Sequence, residues 1–568
     1  MQGSQTSCAV ISLPDKHNRN LQPSFRREVP QYSPINPPAG TRRFLMEQKT
    51  PARKIILIQP TFSEHEYAMD ELTPPMALLH LAGSLLSDGF ETVIINQQID
   101  RNWEQLLAGE LQHNPVCVGI TSLTGLQIYF ALKAAKQVKL TSSVPVVWGG
   151  IHATMVPEHV IASRYIDYVL TGECENSFPQ LVRAIFSGNV PHDVPGIVYR
   201  DESGAVRQTP PGPPPDLALL PPVPFHLDRL FTEQPHPRLT IITSRGCPHR
   251  CSFCFNNFYY HRKWRAMESK EVLALIDHYL KEYGPGSSYR KEPVISFGTE
   301  SNFFVSAKRV DEICQGIIDR GIPVTWEGVS CRVDYHRQIK PSTLKKLHSL
   351  GCDRLLTGVE GGNQEMFDRI KKDIKLADVF AMGEKLIDSG IKLHTSFIMG
   401  LPGETHEDRL AIIDLINELR HRFGAMHTYG IFIYAPFPGT ELWDKGVELG
   451  FTPPTRLTQW VKVEQRFPQR VPWLTESDRQ EIKRFREIAL VGGVYGDNSL
   501  AGKIYSLFGK WGSFRFRHHL FGAVPELKLQ TLLNDIYNLA TRGRRRKYQT
   551  FHHDPLYERI NTLLTELE

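Results

Sequence analysis

The chain has 568 residues, enough for three or four domains, and its 41% hydrophobic and 22% charged content is that of an ordinary soluble globular protein. A net charge of +5 is small for this length, so no nucleic-acid partner is expected. No apolar run reaches the ~18 residues of a transmembrane segment, and nine mostly scattered cysteines suit a reducing cytoplasm better than a disulfide-stapled secreted fold.

Residues 1–52 are rich in Pro, Ser, Gln, Asn and Arg and lack the apolar core of a signal peptide, so a flexible leader is expected. From residue 53 apolar strands alternate with amphipathic stretches. Strands are predicted at Lys54–Gln59, Glu91–Asn96, Val116–Thr121, Val144–Trp148 and Asp167–Leu170, with helices at Pro75–Ser87, Trp103–Gln112, Gly125–Leu140 and Asn176–Ser187. This α/β order predicts a doubly wound, Rossmann-like parallel sheet over 53–205. Such sheets bind ligands beyond the carboxyl ends of their strands. There the sequence places Gln59-Pro60, Thr121-Ser122, Gly149-Gly150-Ile151-His152 and Thr171-Gly172-Glu173-Cys174-Glu175. Glycine lets a ligand approach the backbone closely, and hydroxyls and carboxylates bond amide groups. The first strand-to-helix loop lacks G-x-G-x-x-G, which argues against a dinucleotide site. A flavodoxin-like scaffold whose Gly-Gly merely turns the chain is the plain alternative.

Residues 206–236 read as a linker, with eight prolines between Gln208 and Pro224 making a semi-rigid crossing. A predicted strand, Leu239–Ser244, then runs into Cys247-Pro-His-Arg-Cys251-Ser-Phe-Cys254. Three thiolates in C-x3-C-x2-C spacing can hold three irons of a [4Fe–4S] cluster and leave the fourth open. Zinc would need a fourth ligand, which His249 or His261 could supply, and a disulfide would strand the third thiol. Further strands are predicted at Pro293–Phe297, Pro323–Ser330, Arg354–Val359, Lys392–Met399 and Tyr429–Tyr434, giving six βα units over 237–450. In α/β barrels the chemistry sits at the strand carboxyl ends. Those ends carry Phe297-Gly298-Thr299-Glu300, Cys331-Arg332-Val333-Asp334, Gly358-Val359-Glu360-Gly361-Gly362, Gly400-Leu401-Pro402-Gly403-Glu404 and Tyr434-Ala435-Pro436-Phe437-Pro438-Gly439. The guanidinium of Arg332 could pair a ligand carboxylate bidentately or make a surface salt bridge. Residues 451–568 read as mostly helical, with Trp460, Trp473 and the aromatic stretch Ser513–Phe521 either capping a pocket or packing a core; Tyr495 and His518 receive no role. The basic run Arg542–Lys547 suits a phosphate or anionic-lipid patch, or a solvated helix end.

The cysteine loop, with Phe253 in the aromatic slot of C-x3-C-x-aromatic-C, resembles the radical S-adenosylmethionine (SAM) superfamily. The resemblance implies a six-unit partial (β/α) barrel and a [4Fe–4S] cluster on Cys247, Cys251 and Cys254. It also implies SAM on the open iron, cleaved to a 5′-deoxyadenosyl radical. Glu300 is loosely similar to the family contact for the SAM amino group. Arg332 would meet the carboxylate, Glu360 and Gly361 fall in a G-x-E-x-G motif, and Gly400 and Pro402 would shape the adenosyl pocket. Residues 53–205 are similar to the cobalamin-binding domain of B12-dependent members. That similarity implies corrin contacts at Pro74, Thr121, Ser122, Gly149, Gly150, His152, Gly172, Glu173 and Glu175. The D-x-H-x-x-G motif is missing, so His152 is expected at the corrin periphery, at the nucleotide tail or in packing, and not on the cobalt. The implied activity is methylation of an unactivated carbon, or phosphorus, in a small molecule through methylcobalamin, with an electron donor such as flavodoxin or ferredoxin. Cyclisation or rearrangement without methyl transfer is the alternative. A methylthiotransferase lacks its second cysteine triad here, and a B12 carrier would leave the cysteine loop unexplained.

Overall fold

Lys54–Gln59 (β1) is a run of isoleucine and leucine in which Ile55 to Ile58 have no exposed surface. A strand covered on both faces belongs in the middle of a parallel sheet. In the computed structural model, which describes residues 53–64, 72–298, 300–464, 471–492, 500–540 and 556–567, β1 lies between Glu91–Asn96 (β2) and Cys117–Thr121 (β3). The expected leader, Thr299, Tyr495 and the basic run 542–547 lie outside the described residues. Val146–Gly149 (β4) and Tyr168–Leu170 (β5) complete the parallel order β2-β1-β3-β4-β5. The order reverses between β1 and β3, and at such a switch a crevice opens beyond the carboxyl ends. Two antiparallel strands, Ile197–Arg200 (β6) and Val206–Gln208 (β7), extend the edge. The first sheet therefore runs to Gln208, three residues beyond the expected boundary at 205. The three residues of β7 are all exposed, so no burial pattern marked it.

The four expected helices occupy Met76–Ser87, Trp103–Leu111, Gln127–Thr141 and Ser177–Phe186. Two short helices that the sequence reading lacked, Ile151–Met155 and Pro157–Ile161, follow Gly149-Gly150.

The second half begins with Arg238–Thr240 (β8), then Ser244–Gly246 (β9) and Trp264–Ala266 (β10), an antiparallel pair that frames the cysteine loop. Val294–Phe297 (β11) pairs in parallel with β8 and with Val324–Trp326 (β12). After Glu327-Gly328-Val329, Ser330–Cys331 (β13) opens a second parallel arc with Arg354–Glu360 (β14), Lys392–Met399 (β15) and His427–Ile433 (β16). The third unit thus joins the two arcs, and six parallel positions form the expected partial barrel. β15 alternates half-buried and buried residues along its whole length. One face packs on helices and the other looks into the barrel, unlike the doubly covered β1.

The C-terminal region is mostly helical where described and divides between the two halves. Ile482, Phe485 and Phe516 join the barrel core, whereas Leu556, Ile560 and Leu564 join the core under the first sheet together with Trp443 and Trp460. Each fully buried aliphatic side chain contributes roughly 1.5–3 kcal/mol, so the last helix, Leu556–Thr565, fastens the first domain. The proline-rich crossing also touches both halves. An added Cβ on Gly83 would meet the Pro222 carbonyl at 2.9 Å, and the Val223 amide donates to the Tyr279 hydroxyl at 2.8 Å.

Candidate functional site

The cysteine loop is held on all sides. Gly246 at its start has φ +86°, and a Cβ there would strike the Lys263 carbonyl across the β9–β10 pair, so only glycine fits. The Ser252 amide donates to the Ile370 carbonyl at 2.9 Å, Arg250 pairs with Asp373 at 2.8 Å, and Asn257 donates to the Cys251 carbonyl at 2.7 Å. Cys247, Cys251 and Cys254 are all free thiols. Asn302 Nδ2 stands 3.5 Å from Cys247 Sγ, and Arg332 Nη1 stands 3.8 Å from Cys251 Sγ. Donors aimed at sulfur suit thiolates that carry charge on an iron–sulfur cluster. Burial pushes the Cys254 thiol up to about 12, so a bound cation is needed to displace its proton. Among the described residues no three His, Cys, Asp or Glu side chains gather around a point where one metal ion could sit. Cluster cysteines each bind a separate iron and need no such point. His249, one candidate fourth zinc ligand, is engaged with the Tyr335 hydroxyl at 2.7 Å.

The residues assigned to SAM surround this loop, but most have protein partners. Glu300 accepts from the Thr243 amide and hydroxyl, each at 2.6 Å, and from the Ser244 hydroxyl. It ties down the strand leading to Cys247, and burial raises its pKa against the pull of those hydroxyls and Arg309. Arg332 is buried, pairs with Asp334 at 2.9 Å and donates to the Lys372 carbonyl at 2.6 Å. Glu360 has φ +70°, pairs with Lys372 Nζ at 3.3 Å and accepts from the Ser396 hydroxyl at 3.4 Å. Lys372 also lies over the Phe253 ring, 5.6 Å from its centroid. Arg332 and Glu360, at the carboxyl ends of β13 and β14, are therefore one connected cluster with Phe253 and the cysteines of the loop after β9. Gly361 stands apart: a Cβ there would meet the Met366 side chain at 2.8 Å, so it serves helix packing. At the next loop the Gly400 amide donates to both Glu404 carboxylate oxygens, at 3.0 and 2.9 Å, and the Trp473 indole donates to the Gly400 carbonyl at 3.0 Å. Burial drives the Glu404 carboxyl up to about 7 against those bonds. Gly400 and buried Pro402 thus belong to a turn closed by its own glutamate.

Beyond the carboxyl ends of the first sheet lies a cavity of ~410 Å³. Pro74, Thr121, Ser122, Gly149, Gly150, Gly172, Glu173 and Glu175 all line it. Gly150 has φ +94°, and a Cβ there would meet Thr121 Oγ1 at 2.6 Å and the Ser122 amide at 3.0 Å. His152 does not line the cavity. It is fully buried, bonds Thr124 Oγ1 at 2.9 Å and packs edge-on against Trp460, 5.4 Å between ring centroids. Burial holds it neutral, with its pKa lowered to about 3. Of the three readings held for His152 these contacts support packing, the short helix after Gly150 turning the ring inward.

The opposite wall comes from the second half: Ile242, Arg245, Tyr259 and Tyr260, which flank the cysteine loop on both sides. Arg245 pairs with Glu173 at 2.7 Å and with Glu175 at 2.6 Å, and Arg265 also pairs with Glu173. The Tyr259 hydroxyl donates to the Gly172 carbonyl at 2.9 Å. Burial opposes charge on Arg245, and Glu175 and Glu173 more than offset it, holding its pKa above the ordinary value. Glu173 and Glu175 thus serve as clamps between the halves. His80, from the helix Met76–Ser87, also lines the cavity, and neither ring nitrogen has a hydrogen-bond partner among the described residues. Burial, assisted by Arg245, lowers its pKa to about 3. His80, Arg245, Tyr259, Tyr260, Asn302 and Lys372 were not singled out from sequence. Arg245 and the tyrosine pair could have been, since they bracket the cysteines within seven residues; the others carry no local signal.

Residues 241–416 match the Radical SAM superfamily and residues 69–182 match the B12 binding domain. The chain therefore carries a B12-binding domain followed by a radical SAM domain. It is 28% identical over 404 residues to an uncharacterized methyltransferase of Pyrococcus horikoshii, covering 69% of this chain and 83% of that protein. It is 28% identical over 375 residues to the anaerobic magnesium-protoporphyrin IX monomethyl ester cyclase of Rubrivivax gelatinosus, covering 62% of this chain and 64% of the cyclase. The fold matches the cobalamin-dependent S-adenosylmethionine radical enzyme OxsB at a TM-score of 0.63 and 16% identity, covering 91% of this chain and 79% of that one.

Proposed function

We propose that this protein is a cobalamin-dependent radical SAM enzyme that methylates an unactivated carbon, or phosphorus, of a small molecule. One observation carries the reading. The cavity at the switch point of the B12-binding sheet is walled on its far side by the residues that flank the cysteine triad. The donor sets fit the groups. Three free thiols from one loop, with Asn302 and Arg332 beside two of them, suit a [4Fe–4S] cluster. A glycine cradle, hydroxyls and the unpartnered His80 suit an amide-rimmed macrocycle. When bound, the cluster and SAM would supply a carbon-centred radical and cobalamin the methyl group.

The chain's own residues bind, orient and exclude water. Cys247, Cys251 and Cys254 would hold the cluster, and Glu300 fixes the strand that presents them. Arg332, Glu360 and Lys372 form a charged rim for the zwitterionic part of SAM. The Glu173–Arg245–Glu175 clamp holds the two halves in register, and Tyr259 and Tyr260 seal the seam. Electrons would come from an external donor of the flavodoxin or ferredoxin type.

Cyclisation or rearrangement is the second reading, favoured by the likeness to the cyclase. The test is anaerobic reconstitution with iron, sulfide and cobalamin, followed by turnover with SAM. Four irons per chain, lost in Cys247→Ala, and a base-off corrin spectrum support the cofactor assignment. Retention of the full iron content in Cys247→Ala overturns it. A product heavier by one methylene supports methylation, and an unmethylated ring-closed product decides for the cyclase reading.

A further inference from the structure

Over residues 506–517, 525–530 and 532–533, where their side chains are described, the helices Leu500–Arg517 and Pro525–Ala540 bury one side and leave the other exposed among the described residues. Phe516 and Val524 join the barrel core. On the first helix the described exposed residues are Leu507, Lys510, Trp511, Phe514 and Arg517, which fall on a single stripe at helical spacing. Leu507 is 64% exposed, and Trp511 and Phe514 stack in the open with ring centroids 5.5 Å apart. On the second helix they are Pro525, Lys528, Leu529 and Leu532, with exposed Leu520 in the turn between.

This face is apolar, aromatic and cationic, and none of its described exposed residues is a carboxylate. Of the acids beside it, Glu526 is taken up by Arg515 and accepts from the Trp511 indole at 3.1 Å, and Asp414 pairs with His519 of the turn at 2.9 Å. A merely solvated helix face mixes acids with bases, and large leucines and aromatics clustered in the open mark an interaction surface. A second copy of the chain is a poor occupant. A two-fold contact sets a patch against itself, which would bring Lys510 and Arg517 towards their own copies. A surface of anionic headgroups satisfies both features, because leucine and tryptophan enter the headgroup layer while lysine and arginine meet phosphate.

We propose that this face docks the enzyme on an anionic lipid surface, with both helices lying along the interface. The proposal rests on the exposed face alone and stands independently of the reaction catalysed.

The test is co-sedimentation of the full chain with vesicles of equimolar phosphatidylcholine and phosphatidylglycerol, against vesicles of phosphatidylcholine only. Binding is expected on the charged vesicles, weakened by salt. Lys510→Glu with Arg517→Glu should lower affinity at least about 25-fold, roughly fivefold for each cation lost. Trp511→Ser with Phe514→Ser, which leaves the charges in place, should weaken binding as well. Failure to bind charged vesicles, or equal and salt-insensitive binding to neutral ones, overturns the proposal. So does light scattering that shows a dimer which Trp511→Ser with Phe514→Ser converts to monomer.

Discussion

Replacing Arg245 by methionine is the sharpest probe of the contact between the two domains. The guanidinium is about as buried as its partners, with 11% of its side chain exposed against 8% for Glu173 and 7% for Glu175. Glu173 keeps Arg265 in the variant, whereas Glu175 has no other ion pair among the described residues. Removing one member of a buried ion pair costs about 3–5 kcal/mol, because the remaining charge stays dehydrated and unpaired. Arg245→Met should therefore lower the free energy of the first unfolding transition in urea by about that amount at neutral pH. Adding Glu175→Gln removes the stranded charge, so the double variant should recover a large share of the loss. Tryptophan fluorescence and circular dichroism would follow the transition. A loss under about 1 kcal/mol in Arg245→Met, or a double variant less stable than the single one, would refute the clamp.

Trp460 is 1% exposed, stacks on Trp443 at 5.6 Å and donates to His159 Nδ1 at 2.8 Å. Trp460→Ala should cost about 3–5 kcal/mol in thermal or chemical denaturation, and Trp460→Phe clearly less. Glu404 has a folded-state pKa near 7, above the 4.5 of a free glutamate. Its stabilising contribution is then present below pH 4.5 and lost as pH rises towards about 7. Glu404→Gln should flatten the stability profile across that window, and an unchanged slope in urea titrations would refute the assignment. His80 buries two unpaired ring nitrogens, each costing about 1–3 kcal/mol. His80→Leu should leave the cobalamin-free protein as stable or more so, while cobalamin retention on gel filtration falls; undiminished retention would show that the imidazole does not meet the ligand.

The strand pattern and the cysteine triad were readable along the chain because both are local. The apolar run of β1 reports burial on two faces, and three thiols within eight residues share one loop however the remainder packs. The glycines and hydroxyls at the ends of β3 and β4 were readable for the same reason, since strand direction alone sends them to one edge. For His152 the motif allows a ligand contact or packing and does not choose: the ring turns inward on Trp460, a residue from the C-terminal region whose position no local rule specifies. Gly400 likewise looked like part of a ligand turn, while its amide is occupied by Glu404.

By itself, then, the order of residues determined the two halves, their strand ends and the thiol triad. Only the tertiary structure decided how the halves meet: Arg245 finds Glu173 72 residues back along the chain. Side chains that far apart become neighbours only once both cores have formed and the proline crossing has set one sheet edge against the other. Spacing in sequence carries no record of that approach, because it is fixed by packing rather than by chain connectivity.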